Sequence, residues 1–166
     1  MTIEMIILRI LHIVPGTVWV GSAVFLAVIL EPAMRKAGPQ VGMGLGPHLV
    51  SRIFRVVLTS ALITIVFGLV LVDRTPGRDF GQLFTNNWGW MIGFGLITSV
   101  VAFATGLTTG LTMNRVVAIG RSLEGPPSPE QGAELARLQT RARITTRITA
   151  TLVVVAVGLM ASARFA

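Results

Sequence analysis

Four long apolar segments constrain the fold of this sequence more than any other feature. They cover approximately residues 6–30, 53–72, 90–113 and 148–163, and a helix of such length crosses the roughly 30 Å of hydrocarbon in a bilayer. Lipid offers no hydrogen bonds to an unpaired backbone, so each segment must be helical. Only 13% of the residues are charged, against about 25% in soluble domains. The sequence therefore predicts a single all-α domain over residues 1–166, an integral membrane four-helix bundle.

The positions of the basic residues predict the orientation of this bundle. The first and third connections between the spans hold ten Lys and Arg residues, whereas the second holds only Arg74 and Arg78, balanced by Asp73 and Asp79. By the positive-inside rule, the first and third connections are cytoplasmic, and both termini lie outside. This pattern indicates a multi-pass protein of the cell inner (plasma) membrane. It also assigns the net charge of +7 to topology and not to nucleic-acid binding.

Proline and glycine residues predict where the first and second helices end and begin. Proline disfavours a helical conformation at the residue before it, so we expect helix one to end at Glu31-Pro32. Residues 38–47 are rich in glycine and proline and are typical of a loop, which places the start of helix two near His48. Residues 75–78, Thr-Pro-Gly-Arg, predict a turn in the second connection.

The fourth helix is predicted to begin well before its apolar part. Ser128 is a capping residue, Pro129 suits the first helical position, and Glu130 places an acid in the first turn. No proline follows up to Ala163. A helix of this length measures about 50 Å at 1.5 Å per residue, so its first part should extend into the cytoplasm, next to an extension of helix three to about Arg121.

Stripes of small residues indicate which helix faces pack closely inside lipid. Helix three and helix two each carry such a stripe, and we expect the two to meet each other. Their members are Gly95, Ser99, Ala102, Gly106 and Gly110 in helix three, and Ser60, Thr64 and Gly68 in helix two.

His12 is the main candidate for chemistry, because ionisable side chains inside a membrane are costly and are functional candidates by default. Counted along the helix, His12 shares a stripe with Gly16 and Trp19. Gly16 predicts a flat space one turn below the imidazole, in which a planar macrocycle could lie while His12 binds its iron. The structural alternative is that the imidazole bonds to a carbonyl that Pro15 leaves free in the same helix. Both alternatives remain open from the residues alone.

Several short motifs in the first 70 residues resemble the copper-resistance D-like membrane proteins, a group related to HemJ-type protoporphyrinogen oxidases and to the membrane domain of certain urate oxidases. The motifs are Leu-His-Ile at 11–13, Trp-Val-Gly at 19–21, Glu-Pro-Ala-Met at 31–34, Arg-Ile-Phe-Arg at 52–55 and Phe-Gly-Leu at 67–69. The resemblance implies a b-type haem at His12. Copper-handling members of the group imply histidine and methionine ligands instead.

A second axial ligand is harder to find in the sequence. His48, the other histidine, lies near the opposite face of the membrane, about 20 Å away in depth, so the two histidines cannot share one iron. Met91, near the outer end of helix three, is the best-placed methionine. Arg9 is close enough along the helix to pair with an anionic partner such as a haem propionate.

These observations predict a small membrane subunit that binds haem b or copper through His12, the only metal ligand proposed, and that serves electron transfer or cofactor handling. One alternative is a cofactor-free accessory subunit of a larger membrane complex, whose partners are lipid and other membrane subunits. Another is copper transport. No cysteine and no catalytic constellation of the soluble kind is present, so an enzyme is expected only if a bound cofactor supplies the chemistry.

Overall fold

The chain folds into long helices joined by short connections. The computed structural model describes residues 2–123 and 125–166, with the backbone alone for residues 39–48. Helices account for 89% of the residues, and the described residues contain no strand. The α-helices are α1 (Ile3–Phe25), α2 (Glu31–Ala37), α3 (Pro39–Arg74), α4 (Asn87–Ser122) and α5 (Pro129–Ser162), with a π-helical segment at Leu26–Leu30 and 3₁₀ turns at Phe80–Gln82 and Ala163–Phe165.

Four stretches of helix are long and apolar enough to cross a membrane. They are Ile3–Ala37, Leu49–Arg74, Asn87–Ser122 and Pro129–Phe165. This confirms the prediction of an all-helical chain with four spans, and it indicates a multi-pass membrane protein in contact with lipid. Many of the large apolar side chains on these helices are accordingly exposed on the outside of the bundle.

The four spans pack as two antiparallel pairs, α1 with α3 and α4 with α5. Contacts of α3 with α4 and of α1 with α5 join the pairs, so α1 and α4 lie on a diagonal. The buried core takes residues from all four spans: Trp19 and Ala23 from α1, Ala61 from α3, Ala102 from α4 and Val153 from α5. The alanines among them let the backbones approach closely.

Helix one does not end at Glu31-Pro32, contrary to the prediction. The chain passes through a π-helical segment, Leu26–Leu30, and continues as α2 to Ala37. A proline lacks the N–H that an α-helix requires, and its ring crowds the carbonyl four residues earlier. The wider π turn, in which the Glu31 N–H donates to the carbonyl of Leu26, allows the helix to continue past Pro32.

The glycine- and proline-rich segment 38–47 is also not a loop, because α3 already begins at Pro39. The chain reverses at Gly38, whose φ of 89° is in a region that favours glycine. Pro39 then occupies the first helical position, where the missing N–H costs nothing. A turn at the single residue Gly38 therefore takes the place of the predicted ten-residue loop.

The two small-residue stripes do not meet each other for the most part. On α4, Gly95 faces Met160 and Gly106 faces Thr149, both on α5. Hydroxyl bonds reinforce this pair, since the Oγ1 atoms of Thr105 and Thr149 are 2.8 Å apart. Of the three glycines in the α4 stripe, Gly110 alone faces a side chain of α3, the ring of Phe54.

The stripe of α3 packs on α1 instead. An added Cβ on Gly68 would touch His12, and one on Gly16 would touch Thr64. The helices α3 and α4 are in contact, but the glycines of the two stripes face other helices, except at Gly110. Small residues predict close packing but do not specify the partner helix.

The predicted start of the fourth helix is confirmed. The Ser128 hydroxyl accepts from the Gln131 N–H at 3.2 Å, and the Gln131 side chain accepts from the Ser128 N–H at 2.9 Å. This reciprocal capping box opens α5 with Pro129 at its first position. The turn at 75–78 is confirmed as well, by a bond from the Arg78 N–H to the carbonyl of Thr75 at 3.1 Å.

Candidate functional site

The imidazole of His12 lies half-buried between α1 and α3. Its Nδ1 is 2.7 Å from the backbone carbonyl oxygen of Thr64. A carbonyl can only accept a hydrogen bond, so in a neutral imidazole Nδ1 carries the proton and Nε2 keeps its lone pair. The bond partner is on a neighbouring helix and not near Pro15, which corrects the structural alternative stated above.

Gly68 of α3 lies directly beneath this imidazole. A Cβ on Gly68 would be 2.9 Å from Cε1, 3.0 Å from Nδ1 and 3.9 Å from Nε2 of His12. Any side chain at position 68 would therefore displace the ring. The same distances show that Nε2, the nitrogen with the lone pair, is the ring nitrogen farther from α3.

The flat space predicted beside Gly16 is filled by Thr64. An added Cβ on Gly16 would lie 3.3 Å from Cγ2 and 3.6 Å from Oγ1 of Thr64. The prediction of open space at this position is wrong, because two helices with small residues on facing surfaces approach until their side chains meet. A group bound to His12 must reach Nε2 from the side away from α3.

The other predicted site residues lie in different surroundings. Trp19 is 3% exposed and belongs to the core that joins all four spans. Arg9 is exposed on α1, three residues before His12. Met91 is half-buried near the start of α4, the helix diagonal to α1. The side chain of His48 lies outside the described residues.

The donor chemistry of this region amounts to one imidazole nitrogen. No three His, Asp or Glu side chains cluster as a metal site in the part of the chain that the structure describes. A single Nε2, with its ring oriented by a carbonyl, would supply one nitrogen ligand to a haem iron. His12 and Gly16 thus both lie against α3. Met91 lies on α4, which does not pack closely on α1, so it is not brought to His12.

Glu31, an acid at the end of the first apolar span, was not predicted as a site residue. Its Oε2 is buried and accepts no hydrogen bond, and Nη2 of Arg147 on α5 lies 3.5 Å from that atom. An acid at the end of a continuous apolar segment, followed directly by proline, was the available signal. The sequence-based prediction gave Glu31 only as a helix end and as part of the motif at 31–34. The pair joins the first and fourth spans.

Known proteins offer no assignment for this arrangement. The resemblance to the copper-resistance D-like group rests on the short motifs of the first 70 residues. The chain matches no protein-family model, no curated protein sequence and no solved structure.

Proposed function

We propose that this chain is a small multi-pass membrane protein that binds a b-type haem through Nε2 of His12 and serves electron transfer or cofactor handling. The observation that carries the proposal is the hydrogen bond from Nδ1 of His12 to the Thr64 carbonyl. Histidines that bind metals usually donate their other ring N–H to a carbonyl or carboxylate, which fixes the tautomer and orients the ring. His12 has this arrangement inside an apolar helix.

The residues around His12 would divide the work of holding such a group. The Thr64 carbonyl fixes the tautomer of the neutral ring and orients it, and Gly68 leaves room for the ring. Arg9, one turn before His12, is the basic residue that would pair with a propionate, because a guanidinium binds carboxylates well. A haem iron, when bound, would supply one-electron chemistry.

A second function, that of a cofactor-free accessory subunit, is favoured by the close packing on both sides of His12. Gly16 against Thr64 and Gly68 against His12 bring α1 and α3 together. In this alternative, the imidazole serves only to join two helices by one hydrogen bond, and the apolar outer surface contacts lipid and other membrane subunits.

The visible spectrum and metal content of the purified protein distinguish the two functions. We expect a Soret band that His12→Ala abolishes and that the matched variant His48→Ala retains, with both variants still inserted in the membrane because four spans support the fold. Bound copper without haem would favour copper handling. A wild-type protein with neither group, or a Soret band unchanged in His12→Ala, would reject haem binding at His12.

A further inference from the structure

One end of the bundle carries a large excess of positive charge. Residues 31–55 and 115–147 include ten Lys and Arg residues but four Asp and Glu residues. The first and second spans are joined here, where α3 begins at Pro39, and the third and fourth spans are joined here through the connection between α4 and α5. We call it the arginine-rich end.

Ion pairs within the protein account for only part of this charge. Nη2 of Arg115 is 2.7 Å from Oε1 of Glu134, and Nη2 of Arg147 is 3.5 Å from Oε2 of Glu31. Four further arginines, Arg52, Arg55, Arg141 and Arg143, form no salt bridge with any described carboxylate. Three of the four are exposed, and Arg143 is half-buried.

These four arginines lie at the level of the lipid headgroups. Arg52 and Arg55 flank the start of the second apolar segment. Arg141 and Arg143 precede the fourth apolar segment by distances of about 10 and 8 Å along a continuous helix, at 1.5 Å per residue. The headgroup layer adds about 5–8 Å on each side of the hydrocarbon, so their long side chains reach it.

Arg137 provides an internal comparison. It is exposed on α5, as Arg141 is, but it precedes the fourth apolar segment by about 16 Å at 1.5 Å per residue. Beyond a headgroup layer about 5–8 Å thick, Arg137 is about 8–11 Å from the membrane surface, at or past the Debye length of about 8 Å at physiological ionic strength, whereas Arg141 and Arg143 are within about 5 Å of that layer. Its charge should therefore contribute little to an interaction with the membrane surface.

We propose that the arginine-rich end binds anionic phospholipid headgroups through Arg52, Arg55, Arg141 and Arg143. A guanidinium forms paired hydrogen bonds with phosphate oxygens. A headgroup with a net negative charge also supplies the anionic partner that these four arginines do not have among the described carboxylates. The α5 capping box and the ion pair between Arg115 and Glu134 hold this part of the helix in place. The proposal does not depend on a haem at His12, nor on which leaflet faces this end.

Native mass spectrometry of the full chain in detergent, titrated with phosphatidylglycerol and with phosphatidylcholine, tests this proposal. We expect phosphatidylglycerol to bind more tightly, and the double variant Arg141→Gln/Arg143→Gln to weaken its binding by about fivefold for each charge removed. Arg141→Lys/Arg143→Lys should retain most of the preference, since the charge is kept. Inorganic phosphate alone should not compete.

The same-helix variant Arg137→Gln is the control and should leave the preference unchanged. The midpoint of thermal unfolding, followed by tryptophan fluorescence, shows whether the double variant is still folded. If it is not, Arg52→Gln/Arg55→Gln replaces it with the same expected loss. Equal binding of the two lipids by the wild type, or a preference that persists in folded variants of both pairs, would overturn the proposal. So would an equal loss in Arg137→Gln.

Discussion

Two glycines, Gly16 in α1 and Gly68 in α3, determine how closely the helices on either side of His12 approach. The atoms that would meet an added Cβ belong to the opposite helix in both cases. The hydrogen bond of His12 to the Thr64 carbonyl forms only because the imidazole can lie across Gly68. At the scale of single residues, the close packing of α1 on α3 therefore depends on the absence of side chains at Gly16 and Gly68 as much as on the imidazole of His12.

Replacing Gly68 with alanine should destabilise the protein. The new Cβ would lie 2.9 Å from Cε1 of His12, so the imidazole must move and its hydrogen bond must lengthen. Overpacking of this kind costs about 1–3 kcal/mol. Unfolding in mixed micelles of dodecyl sulphate, followed by circular dichroism, measures the change.

Gly21→Ala is the matched control, because nothing lies within 4 Å of the added Cβ. It should be neutral or should stabilise α1 by up to about 1 kcal/mol through helix propensity. In a His12→Ala background, Gly68→Ala should lose most of its cost. A cost that stays the same without the imidazole would contradict the role given to Gly68.

The ion pair between Glu31 and Arg147 should have a larger coupling energy than the shorter pair between Arg115 and Glu134. The distance favours the second pair, at 2.7 Å against 3.5 Å. Burial favours the first, since the Glu31 side chain is 23% exposed and the Glu134 side chain 43%. Solvent screening reduces the coupling energy of exposed ion pairs to about 0.2–1 kcal/mol. In the pair of Glu31 with Arg147, by contrast, removing the arginine leaves a largely buried carboxylate without a compensating charge.

Double-mutant cycles with glutamine substitutions at both pairs measure these energies. We expect about 1 kcal/mol or more for Glu31 with Arg147, and a smaller value for Arg115 with Glu134. Within the first cycle, Arg147→Gln alone should destabilise the protein more than Glu31→Gln alone. The reverse order for the two single variants would mean that the Glu31 carboxylate is adequately solvated.

At the scale of elements, the ends of the helices have local causes. α5 begins at a capping box, and α4 begins where the Asn86 side chain accepts from the Gly89 N–H at 2.8 Å. The first span continues through Pro32 because a π turn accommodates a ring without an N–H. Each boundary thus follows from hydrogen bonds among residues a few positions apart.

Ser128→Ala should cost about 1 kcal/mol, because it removes the acceptor for the Gln131 N–H at the start of α5. The loss should appear as fraying of the first turns, detected by faster amide hydrogen exchange near residues 129–134. Ser122→Ala is the control, since that hydroxyl only donates to the Ile119 carbonyl at the end of α4. Equal exchange in the two variants would show that the capping box does not hold this end of α5.

At the scale of the whole molecule, the termini share one end of the bundle. Nη1 of Arg74, at the end of α3, is 3.8 Å from Oε1 of Glu4, near the start of α1. The last turn, Ala163–Phe165, packs against α4. The arginine-rich end lies opposite, so the charge asymmetry runs along the axis of the bundle, and from this asymmetry the positive-inside rule predicts the orientation.

Labelling of single cysteines tests the orientation, and the chain offers a clean background because it has no cysteine of its own. Asp79→Cys, in the second connection, should react with a membrane-impermeant maleimide in intact cells. Ser122→Cys, an exposed position at the arginine-rich end, should react only after the membrane is opened. The opposite pattern would invert the predicted topology.

The sequence by itself determined the features that have local or solvent causes. Four apolar segments require four helices because lipid cannot hydrogen-bond a free backbone, and Ser128 with Gln131 closes a cap within four residues. That His12 faces a neighbouring helix was also predictable, since a polar ring facing lipid is costly. Only the tertiary structure decided its partner, the Thr64 carbonyl on another helix, the filling of the space beside Gly16, and the choice of α5 over α3 as the main partner of α4. These depend on contacts between residues 30 to 60 positions apart in the chain, and the spacing of small residues within one helix carries no information about which helix lies opposite.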